Sequence, residues 1–325
     1  MRIQFDDSFF LPEERDGFYI KSMMKRYWAS NMECLVELDR ICRENNIRYF
    51  AAYGTLLGAV RHKGYIPWDD DIDIAMLRED YEKFIKCCEY ALVPPFELFN
   101  AKGSMLCPMR LISTPKTTLE ERFLMEFHLC PYSTGVDIYV LDKLPYKPDD
   151  VEMYKLNLGF IQLFAQRTDI NFQDFSAMAG IHEEPFTQAD IDENIAFAEQ
   201  QFKVKIDRNK PLAPQLSMLT HKCMATYNKS AATKVANVQS WLSGYSPELN
   251  LSDFEPIYLP FENIEIACPK GYERILTKIY GDDYMTPKQG YGRSHGNYPA
   301  YKDREEELFK FLTENGITIP QFLQQ

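Results

Sequence analysis

The chain has 325 residues, and Lys+Arg 36 against Asp+Glu 48 gives a formal net charge of -12. A general nucleic-acid binder needs surplus Lys and Arg to displace phosphate counterions, so that class is disfavoured and no nucleic-acid partner is expected. Hydrophobic residues at 45% and charged ones at 26% describe an ordinary folded chain rather than a disordered one. Eight cysteines (34, 42, 87, 88, 107, 130, 223 and 268) form no CxxC pair and no metal-ligand spacing. They read as free thiols of a reducing compartment. The first residues lack a basic segment followed by an apolar run, and no stretch approaches about 18 consecutive apolar residues. A cytoplasmic protein with no transmembrane segment is the expectation.

In chain order, Met24, Trp28, Leu35, Leu38 and Ile41 recur at helical spacing with Lys, Arg and Glu between them, predicting a helix over 22–46. IRYFAAY (47–53) reads as a buried strand, followed by a Gly54-Thr55 turn and a short helix in LLGAVRH. HKGYIPWD is a loop, broken by Gly64 and Pro67. DIDIAML (71–77) alternates as a strand does, and 78–92 returns to helical period before Pro94-Pro95. FELFNA, CPMRLIS and GVDIYVLDKL (135–144) supply further strands.

From 146 the texture changes to helices, over 150–168, 188–206 and 214–231. Strand-like pieces return at KVANVQS (234–240) and FENIEIACP (261–269). A helix in KGYERILTKIYG is predicted to open at Pro269 and stop at Gly281. A short amphipathic helix follows residue 303. The organisation expected is an N-terminal helical segment at 1–46, a core at 47–145, a helical lobe at 146–232, and a C-terminal part at 233–325 that completes the active-site domain.

Chemistry concentrates in WDDDIDIAM. Side chains at i and i+2 of a strand share a face, so Asp71 and Asp73 point one way while Ile72 and Ile74 enter the core. Two carboxylates a pleat apart repel unless something positive lies between them. A divalent cation with a preference for hard oxygen ligands, Mg²⁺ or Mn²⁺, is the usual answer. Asp69 shares the parity at the loop edge, and Asp70 faces away as a structural residue. An isolated acidic cluster commonly caps an element, but here the pair alternates with isoleucine and follows a strand and Gly-Thr turn. Another aspartate, Asp137, stands inside the apolar strand GVDIYVLD.

Together YGTLLGAVRHKGYIPWDDDIDI, GVDIYVLD and PKGYERILTKIYGDDYMTP (269–287) resemble the LicD family, phosphotransferases related to fukutin and fukutin-related protein. The wider resemblance is to the nucleotidyltransferase fold of the DNA polymerase β superfamily. It implies an α+β fold: a mixed-sheet core flanked by helices, with a helical insertion. It further implies that Asp71, Asp73 and Asp137 are the metal-binding and catalytic carboxylates, with Asp137 the candidate general base. Gly54 and Thr55 would bring backbone and hydroxyl donors to a nucleotide's phosphates.

The activity implied is transfer of phosphocholine, or a related phospho-substituent, from a CDP-alcohol donor such as CDP-choline. The acceptor would be a hydroxyl of a cell-surface glycan or lipid-linked glycan (teichoic acid or lipopolysaccharide), met by peripheral contact at the inner membrane face. Two alternatives stay open: a true nucleotidyltransferase, and a catalytically silent nucleotide-binding module. Cations for the diphosphate would come from Arg61, beside His62 and Lys63, and from Arg110, which alternatively bridges to an aspartate. His295 would close over substrate. For a quaternary ammonium, Trp68 is the nearest ring, with Trp28, Tyr53, Trp241 and Tyr291 as others.

Overall fold

The computed structural model describes residues 3–99, 109–113, 116, 118–168, 186–288 and 299–317. His295 and Tyr291 lie outside them. The chain forms an α+β structure in two compact units. The first comprises 1–99, 110–139 and 252–325, and the second 100–109 and 140–251.

The first unit opens with a hairpin, β1 (Glu13–Arg15) and β2 (Phe18–Ile20), in which Arg15 pairs with Phe18. Its two-residue loop is Asp16-Gly17, both at positive φ (50° and 73°), the conformation Asp-Gly loops favour because it matches strand twist. Helix α1 (Ser22–Glu44) follows and is buried almost all round. Its charged residues are therefore paired. Lys25 Nζ meets Glu13 at 2.6 Å, Arg26 donates to His128 O at 2.7 Å, and Glu33 meets His128 Nε2 at 2.8 Å. Unpaired, any one of them would carry a large desolvation cost.

The sheet has the strand order β3-β4-β7-β6-β5. Its strands are β3 (Phe50–Ala51), β4 (Ile72–Leu77), β5 (Glu97–Phe99), β6 (Met109–Ile112) and β7 (Gly135–Lys143). Of the strand expected over 47–53 only Phe50–Ala51 pairs in the sheet, and helix α2 (Tyr53–Arg61) takes over at Tyr53, whose φ is 42°. Helix α3 (Arg78–Ala91) leaves β4 directly, and the short helix α4 (Glu121–Glu126) precedes β7.

Further along, Pro256–Phe261 and Ile264–Pro269 form an antiparallel hairpin, and Pro256 pairs with Pro269. Pro269 is thus the last residue of a strand. The helix expected to open there starts instead at Tyr272, with Gly271 as N-cap, and ends at Tyr280. The amphipathic helix spans Pro299–Glu314, and its Leu308 and Leu312 share a core with Phe10, Met23 and Leu124.

The second unit is mainly helical. Pro148–Thr168, Gln188–Phe202 and Leu212–Met224 enclose Leu158, Ile161, Phe164, Ile195, Ala198 and Leu216. Thr187 and Asp190 form a reciprocal capping box at the second helix. Lys234–Ala236 pairs with Asp142-Lys143 and with Leu249–Asn250. The strand expected over 234–240 stops early, because the Asn237 side chain caps a helix at Val238–Leu242 by accepting the Ser240 N–H.

The seven described cysteines are free and buried. Among the described residues no helix is long and apolar enough to cross a membrane.

Candidate active site

The acidic loop is fixed from beneath by α1. Trp28 Nε1 donates to Asp69 O at 2.8 Å, and Asn31 Nδ2 donates to Asp70 O at 2.7 Å. Asn31 Oδ1 in turn accepts the Gly135 N–H at 2.8 Å, so one amide ties the loop to the start of β7, where Asp137 lies. Sequence reasoning missed Asn31 and gave Trp28 no role beneath the loop. The available signal was a polar Asn31 three residues after Trp28 on a buried helical face.

Beside the loop, Ala52 N–H donates to Asp73 O at 3.0 Å, and Asp73 N–H donates to Thr55 Oγ1 at 2.8 Å. The junction of β3 and α2 is thereby locked against Asp73. Gly54 lines the same space, where an added Cβ would overlap the Asp69 carboxylate. Gly58, one turn on, packs so closely on the Gly64 carbonyl that a Cβ has no room.

A cleft of about 200 Å³ opens above these residues. Asp69, Asp71 and Asp73 line it with Gly54, Arg61 and Trp68, and the far wall is Tyr280, Asp283, Tyr284, Thr286 and Lys288. That wall lies in and after the segment 269–287, in which sequence reasoning named no candidate site residue. The contact joins chain positions more than 200 apart, as in the 223-residue separation of Arg61 and Tyr284.

Asp73 is buried, and its Oδ1 has no hydrogen-bond partner. Burial drives its carboxyl well above the usual range, and Asp71, Asp137 and Asp69 add to the effect while Arg110 opposes it. Asp71 and Asp137 are half-buried. Burial also raises the Asp137 carboxyl, Arg110 lowers it, and Asp71 raises it further. Arg110 and Asp137 form an ion pair between neighbouring strands, the second of the two roles expected for Arg110. The phenols of Tyr139 and Tyr280 are pushed up by burial and by these same aspartates. Three carboxylates and two phenols thus share one low-dielectric region.

Such crowding is characteristic of sites built to receive positive charge. Among the described residues, no three His, Cys, Asp or Glu side chains form a ready cage for a metal ion. The oxygen donors present suit a hard cation that takes its remaining ligands from elsewhere.

The other expected residues are placed as follows. Arg61 donates to the carbonyls of Tyr284 and Thr286, and His62 meets Asp16. Lys63 is exposed. Trp68 packs edge-on to Phe18 at 6.3 Å and reaches the cleft. Trp28 does not qualify as a ligand-facing ring, since it is fully buried and stacked on Tyr65 at 4.6 Å. Trp241 lies in the core of the second unit, with Lys155 Nζ 4.7 Å from its ring. Tyr53 packs edge-on to Tyr139 at 5.0 Å.

With this geometry in place, comparison with known proteins is decisive for one stretch. Residues 46–174 match the family described as LicD/FKTN/FKRP, nucleotidyltransferase domain. Those residues form a LicD-family domain. It holds Gly54, Thr55, Asp71, Asp73, Arg110 and Asp137 together. The chain is similar to the lipopolysaccharide cholinephosphotransferase LicD of Haemophilus influenzae, at 51% identity over 55 residues, 16% of this chain and 21% of that protein. An uncharacterized protein of Rickettsia prowazekii is 48% identical over 63 residues, 18% of this chain and 24% of that protein. One of Caenorhabditis elegans is 33% identical over 97 residues, 30% of this chain and 26% of that protein. The matched stretches therefore span about a fifth to a quarter of the length of these relatives.

Proposed function

We propose that the chain is a metal-dependent phosphotransferase on a nucleotidyltransferase-type core. It moves phosphocholine, or a related phospho-substituent, from a CDP-activated donor to a hydroxyl of a cell-surface glycan and releases CMP. The observation that carries this reading is Asp73 Oδ1, a buried carboxylate oxygen with no hydrogen-bond partner, crowded by Asp71 and Asp137 in a cleft. A polar atom in that condition is costly unless a ligand completes it. Asp71 and Asp73 would hold Mg²⁺ or Mn²⁺, with phosphate and water oxygens completing the shell. Asp137 is the further candidate ligand. When bound, such a cation neutralises phosphate charge and acidifies a bound hydroxyl.

The protein's own groups account for the rest. Gly54 and Thr55 lie in the first turn of α2, ahead of the first intrahelical bond from Leu56 N–H to Ala52 O, so their N–H groups have no intrahelical acceptor. They suit the donor's phosphate oxygens, and Lys288 adds charge on the opposite wall. Arg110 keeps the Asp137 carboxyl nearer its ionised form, in which it can take the acceptor's proton. The acceptor oxygen then bonds to phosphorus as the bond to the CMP oxygen breaks, and positioning supplies most of the rate. Trp68 offers a ring face for a quaternary ammonium. The similarity to the Haemophilus cholinephosphotransferase supports choline as the first head group to try.

The test is incubation with CDP-choline and Mg²⁺ in the presence of lipopolysaccharide or teichoic acid. CMP together with a choline-bearing glycan is the expected product, lost in Asp71→Ala and Asp73→Ala. Pyrophosphate released from a nucleoside triphosphate would replace the reading with a nucleotidyltransferase. If no CDP-alcohol bound in a Mg²⁺- or Mn²⁺-dependent way, the phosphotransferase reading would fail.

A further inference from the structure

Arg61 ends α2 with its guanidinium committed to other parts of the protein. Nη1 donates to the carbonyls of Tyr284 (2.8 Å) and Thr286 (3.4 Å). Nε donates to His62 Nδ1 at 3.4 Å, which places the imidazole proton on Nε2, where it is donated to Asp16 Oδ2 at 3.0 Å. That tautomer is assigned from the network of partners. Burial and the neighbouring Arg61 hold His62 below its usual range, so it stays in the neutral form that can accept from Nε. The Asp16-Gly17 hairpin loop, the end of α2 and the turn after Tyr280 are thus joined in one chain of polar contacts.

The receiving turn is the far wall of the cleft. Its main-chain bonds are local: Tyr284 N–H to Gly281 O at 3.3 Å and Thr286 N–H to Asp283 O at 2.8 Å. Lys288 pairs with Asp283 in the same turn. A segment held by local bonds gains its place relative to the carboxylates from longer-range ties, and the donation from Arg61 Nη1 is such a tie. A planar guanidinium held at Nε by His62 presents Nη1 to the two carbonyls in a fixed direction.

The geometry points to Arg61 as a positioning residue that sets the 281–288 wall of the cleft, and through it the place of Lys288, rather than gripping the donor's phosphates itself. This rests on the reading of the cleft as the site of a cytidine-diphosphate donor.

Hydrogen exchange on the ligand-free full chain tests the tie without reference to activity. In Arg61→Gln, the Tyr284 and Thr286 amides should exchange at least about tenfold faster, with α1 amides unchanged as the check on global folding. Unchanged exchange in the turn overturns the proposal. Arg61→Lys keeps the charge but loses the Nε donation to His62 that fixes the side chain's direction, and serves equally if the glutamine variant does not fold. It should show the same local exchange and bind CMP with Mg²⁺ about tenfold more weakly in calorimetry. Wild-type CMP affinity in Arg61→Lys would mean that charge alone matters, and the positioning role would fall. If the wild-type chain binds no CMP, the donor reading fails, and the exchange result still decides whether Arg61 holds the turn.

Discussion

The Thr55 hydroxyl accepts the main-chain N–H of Asp73 at 2.8 Å, joining the first turn of α2 to the strand that carries the paired carboxylates. Both residues are buried, so no water replaces this bond when it is lost. Thr55→Val keeps the shape and removes the acceptor, and should cost about 1–3 kcal/mol by leaving a buried donor unsatisfied. Thr55→Ser keeps the acceptor and should cost clearly less. Urea midpoints of the three proteins check this, and equal losses in both variants would assign the effect to packing.

Asp73 also makes stability depend on pH. Its folded pKa is raised above the model-compound 3.8, chiefly by burial and then by Asp71. The folded state therefore holds the proton more tightly than the unfolded one. The associated stability is fully present below 3.8 and is lost as pH rises through the folded pKa. In chelator, Asp73→Asn should be more stable than wild type at neutral pH by about 1 kcal/mol, a typical gain when a functional strain is removed. The gap should close as pH approaches 4. A variant no more stable than wild type at any pH would refute the account.

His62 has the opposite sign of shift and a different window. Its folded pKa lies below 6.5 because of burial and Arg61. The unfolded chain binds the proton more readily, so stability present above 6.5 is lost as pH falls through the folded pKa. His62→Gln should flatten the acid side of the stability profile from about pH 7.5 downward relative to wild type. Parallel profiles for the two proteins would rule His62 out as the titrating group.

Gly54 and Gly58 predict different costs for one substitution. An alanine Cβ at Gly58 meets the Gly64 main-chain carbonyl, which moves only with its loop. Gly58→Ala should therefore lose about 1–3 kcal/mol, as overpacking does. At Gly54 the obstacle is the Asp69 carboxylate, the end of a rotatable side chain. Gly54→Ala should lose less than about 1 kcal/mol in a melt yet lower CMP affinity, because Asp69 lies on the cleft wall.

The central element of the site was legible because period-2 alternation in DIDIAML is a local signal. Buried Ile72 and Ile74 in β4 confirm the strand and its apolar face. The helices expected over 22–46 and 78–92 were legible for the same reason, from their helical period, and stand at Ser22–Glu44 and Arg78–Ala91. What was not legible depends on distant partners. Nothing near Asn31 announces that it will hold both Asp70 and Gly135, and nothing near Tyr284 announces Arg61. Pro269 was misread because proline suits a helix start and an edge-strand end alike, and its pairing with Pro256 decides. The Asp16-Gly17 hairpin is a different case, since the dipeptide is a local signal that was passed over.

Residues 140–251 of the second unit interrupt the first between Tyr139 and Ser252. Synthesis therefore delivers the carboxylates of β4 and β7 long before Tyr280 to Lys288, which supply the far wall of the cleft. Until the ribosome has passed residue 288, Asp71 and Asp73 have no opposite wall. A contact across 223 residues carries a loop-closure cost that the local contacts do not. A ribosome-stalled product ending before 281 would carry Asp71 and Asp73 without the wall that faces them.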